Sequence, residues 1–270
     1  MTKSATVLSM ANFKGGVGKT SSTALLSWEL AKKGYKVLDI DFDPQANLTA
    51  LLVKTASTDE KIVTVKRSLM SAIDENKPLD SVKINIAPNM DLIPVGVDFT
   101  QYPRLLEKFS LEQDRVSYFK TLVDPLREKY DFIFIDVPPT ISVQNDSAFF
   151  ATDQIIVVLQ TQERSLSGAE TFLDYLRKFI VEFNADTDVL GVLPVLSTRR
   201  AAVDKSILAA ANEEFGEENM FRSTIMIMER IKRYDMTGIT DSIHDGWDKK
   251  VHAVFNDVAD EVLERLKEAE

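Results

Sequence analysis

Three short stretches of this chain place charged and hydroxyl side chains at spacings that suit phosphate chemistry. Lys14-Gly15-Gly16-Val17-Gly18-Lys19-Thr20 puts three glycines ahead of a lysine and a hydroxyl. Such a loop lets backbone N–H groups approach phosphate oxygens closely, with Lys19 reaching the β- and γ-phosphates and the Thr20 hydroxyl placed to ligate Mg²⁺. Asp41 and Asp43 stand at an acidic corner closed by Pro44, and Asp136 ends a run of four apolar residues ahead of Pro138-Pro139. Phosphoryl transfer to water needs charge neutralisation on the β- and γ-oxygens, a held metal and a positioned water, and these residue types can supply all three. A glycine pair after a strand can also be a mere tight turn, and each aspartate a solvated corner residue. Gly18-Lys19-Thr20 in register favours the phosphate reading, which includes Ser21 among the nucleotide-binding residues.

These residues need a scaffold that brings them to one edge. Thr6 to Ala11 reads as a buried strand, followed by the glycine loop and a helix from roughly Lys19 to Lys33 before Gly34. Val37 to Ile40, Phe132 to Ile135, Ile155 to Leu159 and Val189 to Val195 read as further buried strands, with helical patterns between them such as Ser167 to Phe179. Strands alternating with helices predict an α/β fold, a mainly parallel twisted sheet flanked by helices on both faces, and the glycine loop between its first strand and helix points to the P-loop NTPase kind. Ligands in such sheets bind beyond the carboxyl ends of the strands. The stretch from about Thr55 to Asn89 is more polar and is expected to form a peripheral helix and loops. With 270 residues and 44% hydrophobic content, one P-loop domain is expected over the whole chain.

Composition narrows the chemistry. Zero cysteines exclude a thiol nucleophile and a cysteine-ligated cluster, and two histidines offer no zinc set, so a metal here must be oxygen-ligated. The N-terminus lacks a basic start with an apolar core, and no apolar run reaches the roughly eighteen residues of a membrane span, so a cytoplasmic location is expected. A net charge of −10 makes any nucleic-acid contact local. Arg222, Arg230, Lys232 and Arg233 lie within twelve residues holding one acid, Glu229, and Arg199-Arg200 with Lys205 form a second basic group. Both groups can equally be solvated charges of an acidic protein. Met226 and Met228 are expected to fill gaps in the core, and the end of the last long strand with its loop, Pro194 to Arg200, is where purine contacts are expected.

The glycine loop departs from the standard pattern, which has glycine six residues before the lysine where this chain has Phe13, and it adds Lys14. In this it resembles the signature loop of the ParA and MinD group of deviant Walker A ATPases. Val37 to Asn47 is similar to the second ParA signature and Tyr130 to Pro139 to the third, in the same order and spacing. The resemblance covers roughly Ser9 to Val195. It implies an ATPase that uses ATP and Mg²⁺, with Asp43 orienting the attacking water, Asp41 supporting the metal shell and Asp136 holding the metal through water. It implies that Lys14 reaches nucleotide across the interface of an ATP-bound homodimer, and that Asp41 to Asn47 and Val137 to Asp146 sense the γ-phosphate. It further implies nonspecific double-stranded DNA binding through basic residues of the C-terminal half. A ParB-like centromere-binding partner would stimulate hydrolysis, and the protein would be nucleoid-associated, segregating a plasmid or chromosome.

The rival within the group is a MinD-like membrane ATPase. The chain's end is expected to form an amphipathic helix with Phe255, Val258, Val262 and Leu266 on one face. Residues 256 to 270, however, carry six acids and two bases, the wrong sign for an anionic membrane, so the helix is expected to dock on the domain and no membrane is expected as a partner. No room for an operator-reading helix-turn-helix is expected before the first strand. An iron–sulfur carrier is disfavoured by the missing cysteines, and a tyrosine kinase by the missing tyrosine-rich tail.

Overall fold

The computed structural model describes residues 4–58, 60–161, 165–196, 202–226, 228–242 and 244–269. Its strands are β1 (Thr6–Ala11), β2 (Val37–Asp41), β3 (Ile84–Ala87), β4 (Met90–Ile93), β5 (Phe132–Asp136), β6 (Gln154–Gln160), β7 (Asp188–Leu196) and β8 (Ile225–Met226). The helices are α1 (Lys19–Lys32), α2 (Asn47–Ala56), α3 (Leu69–Asp74), α4 (Tyr102–Leu106), α5 (Glu112–Val123), α6 (Val143–Ala151), α7 (Ser165–Phe183), α8 (Ala202–Phe215), α9 (Glu229–Thr237) and α10 (Gly246–Ala269).

The strands form one sheet in the order β3-β4-β2-β5-β1-β6-β7-β8, parallel throughout except for β3, which runs antiparallel to β4. Alternation along each strand builds two cores. Val7, Leu38, Ile133 and Ile155 face one side, where α3 to α7 pack, while Leu8, Val37, Phe134 and Ile156 face the other, under α1, α2, α9 and α10. Burial on both faces explains why these strands read as continuous apolar runs rather than as alternating ones.

The segment expected to be peripheral holds more structure than anticipated. It contains α3 and the edge strand β3, joined to β4 by Pro88-Asn89, with Asn89 in the left-handed region at φ 63°. The amphipathic C-terminal helix is present as α10, and Phe255, Val258 and Val262 are fully buried against the α1 side of the sheet. Among the described residues, no helix is long and apolar enough to cross a membrane.

Candidate functional site

The sheet order decides where the chemistry meets. β5 lies between β2 and β1, and Asp41 pairs in register with Asp136, so two carboxylates end neighbouring strands at one level. The glycine loop leaves β1 on the other side of β5, at the same carboxyl edge. Gly16 and Gly18 adopt φ values of 74° and 89°, the left-handed region that a side chain would strain. Gly18 caps α1 without any side-chain bond, and the first turn of α1 carries no acidic residue. The helix therefore presents free N–H groups and its positive dipole end to the cleft.

Asn12, which sequence reasoning missed, sets the loop. Its buried side chain donates to the Val158 carbonyl at 2.7 Å and accepts the Lys14 N–H at 2.9 Å. The Lys19 ammonium donates to the Asn12 carbonyl at 3.0 Å and the Lys14 carbonyl at 3.2 Å, folding the loop around itself. Burial lowers the Lys19 pKa, while the charges of Asp136 and Asp43 oppose that shift.

A cleft of about 640 Å³ opens over the loop, lined by Gly16, Lys19, Thr20, Asp43, Pro139 and Asp235 among others. The Thr20 hydroxyl donates to Asp136 Oδ2 at 2.7 Å, and Asp136 Oδ1 is buried with no hydrogen-bond partner. Burial and the neighbouring Asp41 charge push the Asp136 carboxyl up to about 8. A hydroxyl that gives its proton to a carboxylate keeps its lone pairs for a cation, and the unpaired buried carboxylate oxygen behind it has lone pairs left unmatched. This all-oxygen pair fits Mg²⁺, which takes few protein ligands and keeps several waters. Among the described residues there is no group of three or more His, Cys, Asp or Glu side chains that could cage a metal.

Asp41 is placed differently from expectation. It is fully buried, and its two oxygens accept the Asp43 N–H at 3.1 Å and the Thr49 N–H at 2.8 Å. Burial nonetheless raises its carboxyl to about 6. With both oxygens engaged, unlike those of Asp136, Asp41 braces the corner that carries Asp43 and ties it to α2. Asp43 itself reaches the cleft, one oxygen accepting the Gln45 N–H at 2.9 Å. The 137–146 segment is fastened to this corner by Gln144, which donates to the Phe42 carbonyl at 2.8 Å, and is held within itself by Asn145, which donates to the Pro138 and Thr140 carbonyls at 2.8 and 2.5 Å.

A second, more apolar cleft of about 340 Å³ adjoins the loop, with Gly18 and Ser21 on one wall and Val195, Met226, Met228 and Ile231 on the other. Met226 and Met228 thus border an opening beside the phosphate loop rather than only filling the core. Val195 belongs to the stretch expected to contact a purine, while residues 197–200 of that stretch lie outside the described residues.

The basic residues separate on inspection. Arg230 Nε lies 2.5 Å from Asp248, and its Nη2 lies 3.1 Å from Asp245; with only 16% of its side chain exposed, it fastens α9 to α10 and does not belong to a free basic surface. Arg222 is exposed but pairs with Glu264 and borders a hollow edged by Asp257, Asp260 and Glu261. Its setting is acidic, contrary to the expected patch. Lys232 and Arg233 are exposed on α9, Lys232 with a 2.9 Å ion pair to Glu229. Arg199 and Arg200 lie outside the described residues.

Residues 5–189 match the AAA_31 family, described as an AAA domain. The sporulation initiation inhibitor protein Soj of Bacillus subtilis is 24% identical over 95% of this chain and 97% of its own length, and the chromosome-partitioning ATPase Soj of Treponema pallidum is 26% identical over 87% and 88%. Among solved structures, an ATP complex of a Cyanothece McdA variant aligns at a TM-score of 0.79 with 21% identity, over 97% of both chains. A putative plasmid partition protein of Borrelia burgdorferi bound to AMPPNP aligns at 0.71 with 22% identity, over 99% and 100%. Cobyrinic acid a,c-diamide synthase of Mycobacterium smegmatis, with an ATP analogue and magnesium, aligns at 0.80 with 22% identity, over 98% and 97%, so the fold alone spans more than one activity. With its extra Lys14, its two aspartate signatures at one sheet edge and its family match over residues 5–189, the chain belongs to the AAA_31 family and, within it, to the ParA/MinD-type partition ATPases.

Proposed function

We propose that this chain is a Mg²⁺-dependent ATPase whose ATP-bound homodimer binds double-stranded DNA without sequence preference, with hydrolysis stimulated by a ParB-like centromere-binding partner. The observation that carries this reading is the pairing, in one cleft, of a lysine-flanked glycine loop with Asp43 in front and the Thr20–Asp136 pair behind. The free N–H groups at the start of α1 and the Lys19 ammonium bind the β- and γ-phosphates. Thr20, directly, and Asp136, through water, would hold Mg²⁺, which supplies charge neutralisation on the transferred phosphate. Asp43 orients the attacking water, and its position is set by Asp41. Ser21, Met226, Met228 and Ile231 take the base in the adjoining cleft. In this reading the chain is one ATPase domain, which is supported by the contribution of β1, β2 and β5 of one sheet to the site.

α9 supplies the link from nucleotide to DNA. Ile231, Lys232 and Asp235 line the cleft beside the phosphate loop, while Lys232 and Arg233 are exposed on the same helix. These two, together with Arg199 and Arg200, form the proposed DNA contact; Arg230 and Arg222 are left out on the geometry above. Two copies of such a weak patch in one dimer would bind far more tightly than one, because each neutralised phosphate adds a salt-sensitive increment. Membrane attachment through the C-terminal helix is disfavoured, since the apolar face of α10 is spent on the domain. The nucleoid-associated, cytoplasmic location follows from this reading.

The dimer is tested by light scattering of wild-type protein and Lys14→Ala with ATP and with ADP. Wild type is expected to dimerise with ATP only. The variant should still bind a fluorescent ATP analogue yet stay monomeric, and a variant that dimerises normally would remove Lys14 from the interface.

A further inference from the structure

A third opening lies away from both clefts of the phosphate loop. It is a groove of about 450 Å³ between α7, the start of β7 and the end of α8. Its floor is apolar, with Leu173, Ile180, Val189 and Phe215 only partly covered. Its rim is acidic: Glu170, Asp174, Asp188 and Glu214 surround one cation, Arg177, which is already paired with Asp174 at 3.2 Å. Among the described residues, no cation pairs with Glu170, Asp188 or Glu214. Three uncompensated carboxylates around open apolar surface form an electrostatic and hydrophobic imprint of what would fill it.

The same helix braces the phosphate loop. At helical spacing, Glu170, Leu173, Arg177 and Ile180 share one side of α7, and Phe172, Tyr175 and Phe179 share the opposite side. Phe172 and Tyr175 each pack edge-on against Phe13, the residue before Lys14, with ring centroids 5.1 Å away. A ligand in the groove therefore rests on the back of the helix that buttresses the signature loop.

We propose that this groove is the docking site for a cationic amphipathic segment of a protein partner, with apolar side chains seated on Leu173, Ile180, Val189 and Phe215 and basic side chains meeting Glu170, Asp188 and Glu214. The proposal stands apart from the nucleotide reading, because the groove lies at the amino end of β7 and includes none of the residues of the phosphate loop.

The test is fluorescence anisotropy of the full-length protein with a labelled Leu/Lys amphipathic helical peptide, beside a Gly/Ser/Lys peptide of equal charge. Two triple variants separate the groove from general charge: Glu170→Gln/Asp188→Asn/Glu214→Gln at the rim, and Glu128→Gln/Asp257→Asn/Glu268→Gln elsewhere. All six carboxylates lie outside the buried core, so both variants are expected to fold, which circular dichroism checks. The Leu/Lys peptide is expected to bind, the Gly/Ser/Lys peptide to bind much less, and the rim variant to lose roughly tenfold in affinity, as three exposed ion pairs would, while the control variant loses little. Equal losses in both variants, equal binding of both peptides, or no binding of the Leu/Lys peptide would overturn the proposal. So would concentration-dependent self-association abolished by the rim variant, which would give the groove to a second copy of the chain.

Discussion

His252 offers a sharp test of how the nucleotide helix is held. It lies buried on α10, with Nδ1 2.5 Å from Glu29 Oε1 on α1 and Nε2 2.8 Å from the Thr240 carbonyl. With a carboxylate and a backbone carbonyl as its neighbours, the ring can donate from both nitrogens, which favours the imidazolium. Burial opposes that charge, but the hydrogen bonds to Glu29 and Thr240 and the charges of Glu29 and Asp241 outweigh it and raise the pKa above 6.5. Removing one partner of a buried pair costs about 3–5 kcal/mol when the other charge is stranded. Here Lys32 stays 3.4 Å from Glu29, so His252→Ala is expected to cost somewhat less, about 2–4 kcal/mol. The dependence on pH has a definite sign. A raised folded pKa gives stability that is complete below the unfolded value, near 6.5, and is lost as pH climbs through the folded value. Urea titrations of wild type, His252→Ala, Glu29→Gln and the double variant at about pH 6 and pH 9 should therefore show a wide gap at the lower pH and a narrower one at the higher. The double variant should cost less than the sum of the singles. A gap that does not change with pH, or strictly additive losses, would refute the charged bridge.

Two further outcomes follow from the cleft and its strands. Asp43→Ala should bind ATP nearly as wild type does yet lose at least about a hundredfold in phosphate release, the usual loss on removing a positioned base; unchanged turnover would transfer the water to another group. Asp39, fully buried on β2, accepts from the Ser27 hydroxyl at 2.6 Å while its other oxygen has no partner, and burial raises its pKa well above the ordinary value. A folded pKa raised above the unfolded one means that stability is lost as pH rises above the unfolded value, about 4. The double variant Ser27→Ala/Asp39→Val, which removes both partners of the bond together with the unpaired oxygen, should be neutral or gain about 1–3 kcal/mol at neutral pH, with a smaller gain near pH 4, whereas Asp39→Val alone should gain less because it strands the Ser27 hydroxyl; chemical denaturation that shows the double variant to be less stable than Asp39→Val alone would contradict this.

What the sequence disclosed, and what it hid, divides along physical lines. β1, β2, β5, β6 and β7 are legible because burial on both faces makes them short and mostly apolar, and the glycine loop because its residue types are tied to one chemistry. β3 escaped notice as a four-residue, half-exposed edge strand whose pairing depends on the Pro88-Asn89 turn rather than on periodicity. Asp41 and Asp43 look alike in sequence; only the register with Asp136 and the bonds to Thr49 and Asp43 separate a brace from a cleft residue. Asn12 left no signal beyond its place between strand and loop. Arg230 reads as part of a basic cluster until Asp248, eighteen residues later, is seen to claim it. Charge runs show which residues are available to pair, and only the fold shows which are already paired.

Whether ATP switches the proposed dimer onto DNA is decided by binding to a random-sequence duplex with ATP, with ADP and without nucleotide, at two salt concentrations. Binding is expected to require ATP, to weaken steeply with salt and to lose slope when Lys232 and Arg233 are both changed to Ala. Binding indifferent to nucleotide, or none under any condition, would contradict it.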